Sequence, residues 1–441
     1  RSPSRGLGDV YKRQSLKRTD FANIGETLYT GALGNGLRIV VVPRPGFMKK
    51  YAFFATNYGG AVRNFSVDGR RVETPEGVAH FLEHKMFDMP WGNALGVLSA
   101  NGAQPNAYTS DFITAYHFEC TDGFEKDLDT LLEFVSTPYF TAESVLKEQG
   151  IIGEEIGMAE NDPGHAVYYG LMRCLYENCA VRDSVVGTVE SIAQITPEIL
   201  TDCHRAFYAP SNMLLCVVGD VEPDAVEAAA VRALPAERAP VPQPDYGPIE
   251  GLAPYKTRFS RGMDVSAPQF MIGAKLPCEG SGDELLRRQL AAALSLRCLA
   301  GTSSPLYTGM YADGLIRSLW NEADWGPCAA YAVLGGESPE PERVLARLSE
   351  AVAKVAAEGF EPDAFERCRR AEYGMRIRAL GQAAGLADSL ARSAFAGTDC
   401  LRGFELLPQL TAEECAAFVS EHLAPERLAL AVVQPEPRKD M

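Results

Sequence analysis

The chain repeats itself at half its length. Ile195-Thr-Pro-Glu, Phe207-Tyr-Ala-Pro210 and Val217-Val218 align without a gap onto Leu410-Thr-Ala-Glu, His422-Leu-Ala-Pro425 and Val432-Val433. The offset is 215 residues throughout, in a chain of 441. Self-similarity at a fixed period marks duplicated units. Each copy runs from a Thr-led helical stretch through a proline into a β-branched strand, so each unit mixes helix with strand. Between them, Ala233 to Pro254 holds Pro235, Pro240, Pro242, Pro244, Pro248 and Pro254 with little periodic pattern. That composition reads as an extended linker. The expected division is a first domain at 15–232, a linker at 233–255 and a second domain at 256–441. Residues 1–14 start without Met and have no apolar core, so they read as a disordered leader or a non-native scar.

The first copy carries the chemistry. Glu76 to Asp88 reads Glu-Gly-Val-Ala-His-Phe-Leu-Glu-His-Lys-Met-Phe-Asp. Thr74-Pro75-Glu76 has the residues of a helix start: a capping hydroxyl, a first-turn proline and an acid at the positive end. On a helix, His80 and His84 share a face, and Glu83 stands at its edge. Two imidazoles on one face are half of a zinc site. A carboxylate beside them can take a proton from an activated water. The order H-x-x-E-H is the inverse of the common zinc-peptidase helix motif. The 215-residue offset sets Ser295 to Leu299 opposite this helix, and that stretch has no ligands. Only the first domain is expected to hold metal.

A zinc site needs further donors. Thr141 to Glu160 reads as a long helix, capped by Thr141 with Glu143 in its first turn. Glu148 and Glu155 are two turns apart on nearly one face, with Ile151 and Ile152 between them. This stretch is either an ordinary charged surface, or two acids turned to the metal helix, Glu155 as third ligand and Glu148 supporting it from behind.

Together these residues resemble the pitrilysin/insulinase family of zinc peptidases. The likeness covers nearly the whole chain and includes Leu33-Gly34-Asn35-Gly36-Leu37, Asn106-Ala107-Tyr108-Thr109 and Thr114-Ala115-Tyr116. The run from His80 to Phe87, with Gly150-Ile-Ile-Gly-Glu-Glu-Ile, is similar to a small two-domain bacterial subgroup, the YmfH-like peptidases. The resemblance implies an α+β fold of two homologous domains. Each would be a mixed, mostly antiparallel sheet packed with helices, and the two would form a clam-shell. It implies one Zn2+ per chain held by His80, His84 and Glu155, with Glu83 as catalytic base and Glu148 as accessory acid. Asn106, Ala107, Tyr108, Thr109 and Tyr116 would face the substrate.

The implied function is a zinc endopeptidase acting on short unfolded or precursor peptides inside a two-domain chamber. The rival is a non-catalytic scaffold or partner subunit of the same fold. One departure bears on pairing. Active relatives place an Arg and a Tyr in the second domain; here Tyr311 and Arg317 fall near those positions in swapped order. A homodimer, or a heterodimer with a zinc-less homologue, is therefore expected.

Composition excludes other classes. At 46% hydrophobic and 23% charged residues, the chain is globular. A net charge of −16 argues against nucleic acid or an anionic membrane as partner. No apolar run is long enough to span a bilayer. Eleven scattered cysteines without C-x-x-C read as reduced, buried thiols of a cytoplasmic protein, not as a disulfide framework.

Overall fold

A computed structural model describes residues 16–436, so the segment read as a leader lies outside the described residues. Two sheets organise the chain. The first has seven strands in the spatial order Lys17–Phe21, Glu26–Ala32, Arg38–Pro43, Met213–Gly219, Lys50–Thr56, Thr114–Cys120, Gln104–Thr109. The second has five, in the order Arg258–Met263, Ala429–Pro435, Gln269–Lys275, Ala330–Glu337, Ser318–Trp325. Without Lys17–Phe21 and Glu26–Ala32 at one end of the first sheet, the two orders coincide. The parallel pair also falls at the same place: Arg38–Pro43 with Met213–Gly219, and Arg258–Met263 with Ala429–Pro435. All other neighbours in the two sheets are antiparallel. The repeat seen in the sequence is thus a repeat of topology, and the α+β class with two similar lobes holds.

Met213–Gly219 is buried at every position, which is why it reads as an unbroken apolar run and not as an alternation. Both faces of its sheet are covered. On one side lie the metal helix, Val78–Met86, and the helix Phe124–Ser136, whose Phe81, Leu82, Leu131 and Phe134 pack with Phe54 and Tyr116. The other face is covered from the second half of the chain. The helix Ala383–Phe395 sets Leu386 and Leu390 against Val40, Phe53 and Cys216. Arg38 anchors its end, donating to the Ala394 carbonyl at 2.6 Å and lying over the Phe395 ring.

The exchange is reciprocal. Pro163–Leu175 belongs to the first half but packs on the second sheet, with Val167 and Leu171 against Met271, Val333 and Ala431. Gly273 leaves room for Leu171, since a Cβ there would meet the Leu171 methyl at 2.8 Å. Neither sheet closes its core without a helix from the other half. Each fully buried Leu in these contacts is worth about 2 kcal/mol.

The Pro-rich segment is extended but not free of structure. Gln243–Asp245 pairs with Asn64–Val67 in a small three-stranded sheet. Further on, Glu250 accepts the backbone N–H groups of Glu177, Asn178 and Cys179. No helix among the described residues is long and apolar enough to cross a membrane.

Candidate metal centre

The metal helix starts later than its sequence suggests. It begins at Val78, with Gly77 at the cap in a left-handed conformation, φ 88°. Thr74 does not cap it; its hydroxyl bonds the Arg63 carbonyl, and Glu76 pairs with Arg63 at 2.8 Å. The chain must turn sharply here because a Cβ at residue 77 would meet the Val186 carbonyl oxygen at 2.8 Å. Close approach, not capping chemistry, sets the start. The long acidic helix runs over Ala142–Glu160, and Thr141 caps it in a reciprocal pair with Ser144.

The two helices bring the three expected ligands together. His80 Nε2 lies 3.5 Å from Glu155 Oε1, and His84 Nε2 lies 3.5 Å from Glu155 Oε2. Donor atoms of all three residues lie within 4.8 Å of one another. Two donors bound to one tetrahedral zinc stand about 3.4 Å apart, given ligand distances near 2.0–2.1 Å. The His–Glu separations match that edge, and two imidazoles with a carboxylate are ordinary zinc donors. The residues present fit the ion. Charge agrees: Glu83, Glu148, Glu155 and Asp88 crowd the site, and Lys85 is the cation paired among them.

Glu148 sits behind His84. Its Oε1 is 3.1 Å from His84 Nδ1, and its Oε2 is 3.8 Å from Lys85 Nζ. Accepting the Nδ1 proton leaves Nε2 free to bind metal. Burial pulls the His84 pKa down. The Glu148 hydrogen bond and the charges of Glu83, Glu155 and Glu148 outweigh it, so the net shift is upward. Glu155 is held below its ordinary value, chiefly by its hydrogen bond with His80. Of the isoleucines between the two acids, Ile152 is buried and Ile151 is exposed.

Glu83 is buried beside the ligands and accepts a hydrogen bond from Thr109 Oγ1 at 2.6 Å. Thr109 closes the strand Gln104–Thr109, the outermost strand of the first sheet. Asn106 and Ala107 lie on that open edge. The Tyr108 hydroxyl bonds Asp388 on the helix contributed by the second half. Tyr116 departs from its expected place: it is fully buried, with its hydroxyl 2.8 Å from that of Tyr208. It supports the edge from beneath instead of meeting a ligand, because the Phe87 and Phe134 rings pack against it.

One residue, and a role of a second, went unread. Lys85 is fully buried and forms an ion pair with Asp88. It lies one helical turn from Phe81, also fully buried, so the periodicity carried the signal. The role of Thr109 toward Glu83 had no signal, because it depends on a contact across 26 residues. Tyr311 and Arg317 stand exposed on the second lobe, where Tyr311 stacks on Tyr307. His117 packs against Tyr51 and Phe53 on the sheet face away from the metal helix.

The chain is similar to known proteins along most of its length. The family model described as "Insulinase (Peptidase family M16)" matches residues 67–189, and that described as "Peptidase M16 inactive domain" matches residues 194–372. The zinc protease YmfH of Bacillus subtilis is 35% identical over 430 residues, covering 96% of this chain and all of the relative. The zinc protease Mb2805c of Mycobacterium bovis is 28% identical, covering 83% of this chain and 85% of its own. The crystal structure of an M16-like peptidase from Alicyclobacillus acidocaldarius superposes with a TM-score of 0.89 at 32% identity, covering 93% of this chain and 99% of that one. Pitrilysin, at 15% identity, shares the fold: a TM-score of 0.75 over 97% of this chain and 47% of its own. A duplicated sheet, an H-x-x-E-H helix and a distant Glu meeting both imidazoles occur here along a sequence alignable end to end with YmfH, and the chain therefore belongs to the insulinase family, peptidase family M16.

Proposed function

We propose that the chain is a zinc-dependent endopeptidase that hydrolyses peptide bonds in short unfolded or precursor peptides. The observation that carries this reading is the meeting of Glu155 with His80 and His84, beside a Glu83 already held in place. When bound, the ion polarises the scissile carbonyl and acidifies the attacking water. His80, His84 and Glu155 hold the ion, and Glu148 fixes the tautomer and orientation of His84. Glu83 takes the proton of the water and returns it to the leaving amine. Thr109 aims the Glu83 carboxylate. A substrate in extended form adds to the open edge of Gln104–Thr109, near Asn106 and Ala107, where main-chain hydrogen bonds grip without reading sequence.

The working lobes are 15–232 and 256–441. The chamber is bounded by them and completed by a second chain, either another copy or a zinc-less relative. The support is length: this chain matches 47% of pitrilysin, so one pitrilysin chain has room for two such units. Chamber size then limits the substrate more than its sequence does. The eleven free cysteines, nine of them buried, support a cytoplasmic setting.

Glu83→Gln tests the assignment. It should retain zinc by metal analysis and lose cleavage of a mixed pool of unfolded peptides, read by mass spectrometry with and without chelator. Cleavage by that variant at the wild-type rate would overturn the role of Glu83. A purified wild-type chain that holds no zinc would favour the scaffold reading instead.

A further inference from the structure

We propose that Cys179 and Cys328 form a peroxide-reactive dithiol pair whose disulfide staples the two halves of the chain together. The two sulfurs are 3.3 Å apart, from positions 149 residues distant in sequence, and both residues are buried. A disulfide bond is about 2.05 Å long, so closing the gap asks for little more than side-chain rotation.

The backbone around the pair is fixed from both sides. Glu250 Oε1 accepts the N–H groups of Asn178 and Cys179, and Oε2 accepts that of Glu177 and pairs with Lys275 of the second sheet at 3.4 Å. Cys328 occupies the turn between Ser318–Trp325 and Ala330–Glu337. A cavity of about 300 Å³, lined by Tyr176, Glu250, Lys275, Cys278 and Cys328, reaches the Cys328 side of the pair. Hydrogen peroxide, two heavy atoms across, is the class of oxidant this space admits.

The mutual contact of the two thiols lowers Cys179 below its ordinary pKa and, with burial, raises Cys328. One sulfur of the pair, as thiolate, attacks a peroxide oxygen. The O–O bond breaks, and the departing hydroxide leaves as water with a proton from solvent. The second thiol then attacks the resulting sulfenic sulfur. The S–O bond breaks, and its hydroxyl leaves as water with the second thiol's proton. Two thiols are oxidised to one disulfide, and one peroxide is reduced to two waters.

The staple sits at a junction. Gly326, in the same turn as Cys328, lies against the Phe112 ring so closely that a Cβ there would overlap it. Phe112 follows the edge strand that ends at Thr109. On the other side, Asp183 ties the Cys179 segment to Arg63 at 3.0 Å, and Arg63 holds Glu76 just before the metal helix.

The test treats the full-length zinc-loaded protein with hydrogen peroxide, blocks residual thiols and maps tryptic peptides by mass spectrometry. The expected product links peptide Cys174–Arg182 to peptide Ser318–Arg343, with fragmentation placing the bond on Cys179 and not on Cys174. Free thiols fall by two from eleven, and dithiothreitol restores them. The melting temperature of the oxidised form should rise by about 5 °C or more, since the bond closes a long loop. Cys328→Ser should abolish the link, whereas Cys278→Ser should keep it. Oxidation that spreads over unrelated cysteines, or that links Cys298 to Cys368 first, would overturn the proposal. So would a native protein that shows no link at peroxide levels that oxidise its other thiols. The mapping reads no peptide cleavage, so its result stands apart from the peptidase assignment.

Discussion

The Thr109 hydroxyl donates to Glu83 Oε2 at 2.6 Å and so joins the edge strand to the metal helix. The base is aimed by the same strand that is proposed to receive the substrate. Thr109→Val keeps the side-chain shape and removes the donor. A base misplaced by about 1 Å costs on the order of 10²-fold in rate, so kcat should fall by that order while zinc content and KM change little. Thr109→Ser should recover most of the loss. A Val variant with normal kcat and raised KM would make Thr109 a substrate contact alone.

Glu148 touches no ligand position itself, yet it bridges His84 Nδ1 and the buried Lys85. Partners of this kind typically govern metal affinity by 10- to 100-fold. Glu148→Gln should weaken zinc binding by about that factor, measured by competition with a chromophoric chelator. The variant should regain peptidase activity at high zinc. Unchanged affinity would show that His84 is oriented without it.

Much of this arrangement was legible in the chain. The strand Met213–Gly219 and the placing of His80 and His84 on one helix face follow from local pattern and spacing. What local pattern could not carry was contact between distant segments. Glu148 and Glu155 left two readings open until the helices met. Gly77 looked like a first-turn residue because nothing nearby reveals the Val186 carbonyl pressing on it. Tyr116 was placed toward the substrate by resemblance alone, and nothing local reveals the Phe87 and Phe134 rings and the Tyr208 hydroxyl that cover it. The exchanged helices Pro163–Leu175 and Ala383–Phe395 are amphipathic in either lobe, and amphipathicity does not name the sheet they serve.

That exchange makes the two lobes one cooperative unit. Leu171→Ala removes a fully buried side chain of the second sheet's cover, and Leu386→Ala a nearly buried one of the first's. Each should cost about 2–5 kcal/mol. Because each helix belongs to the other half, either variant should lower one shared calorimetric transition. A fragment ending at residue 232 would leave Val40, Phe53 and Cys216 uncovered and should not fold cooperatively. Two separate transitions, only one of them moved by each mutation, would contradict this coupling.

Acid should weaken the fold through a histidine remote from the metal. His204 is buried, with Nε2 3.1 Å from the Val135 carbonyl, and burial pushes its pKa down to about 4. The unfolded chain takes up this proton near the ordinary value of about 6.5, the folded chain only near the lower one. Above the ordinary value both states are neutral, and His204 adds no pH dependence. As pH falls between the two values, only the unfolded state gains the proton, so stability drops steadily and levels off below the folded pKa. From pH 7.5 to pH 5.0 the His204 share of that loss is about 2 kcal/mol. His204→Gln keeps a donor for Val135 and cannot titrate. Urea denaturation at both pH values should therefore show wild type losing about 2 kcal/mol more than the variant, on the same linkage reasoning. Groups common to both proteins cancel in the difference. Equal losses would mean that His204 is charged in the folded chain, with water reaching its ring.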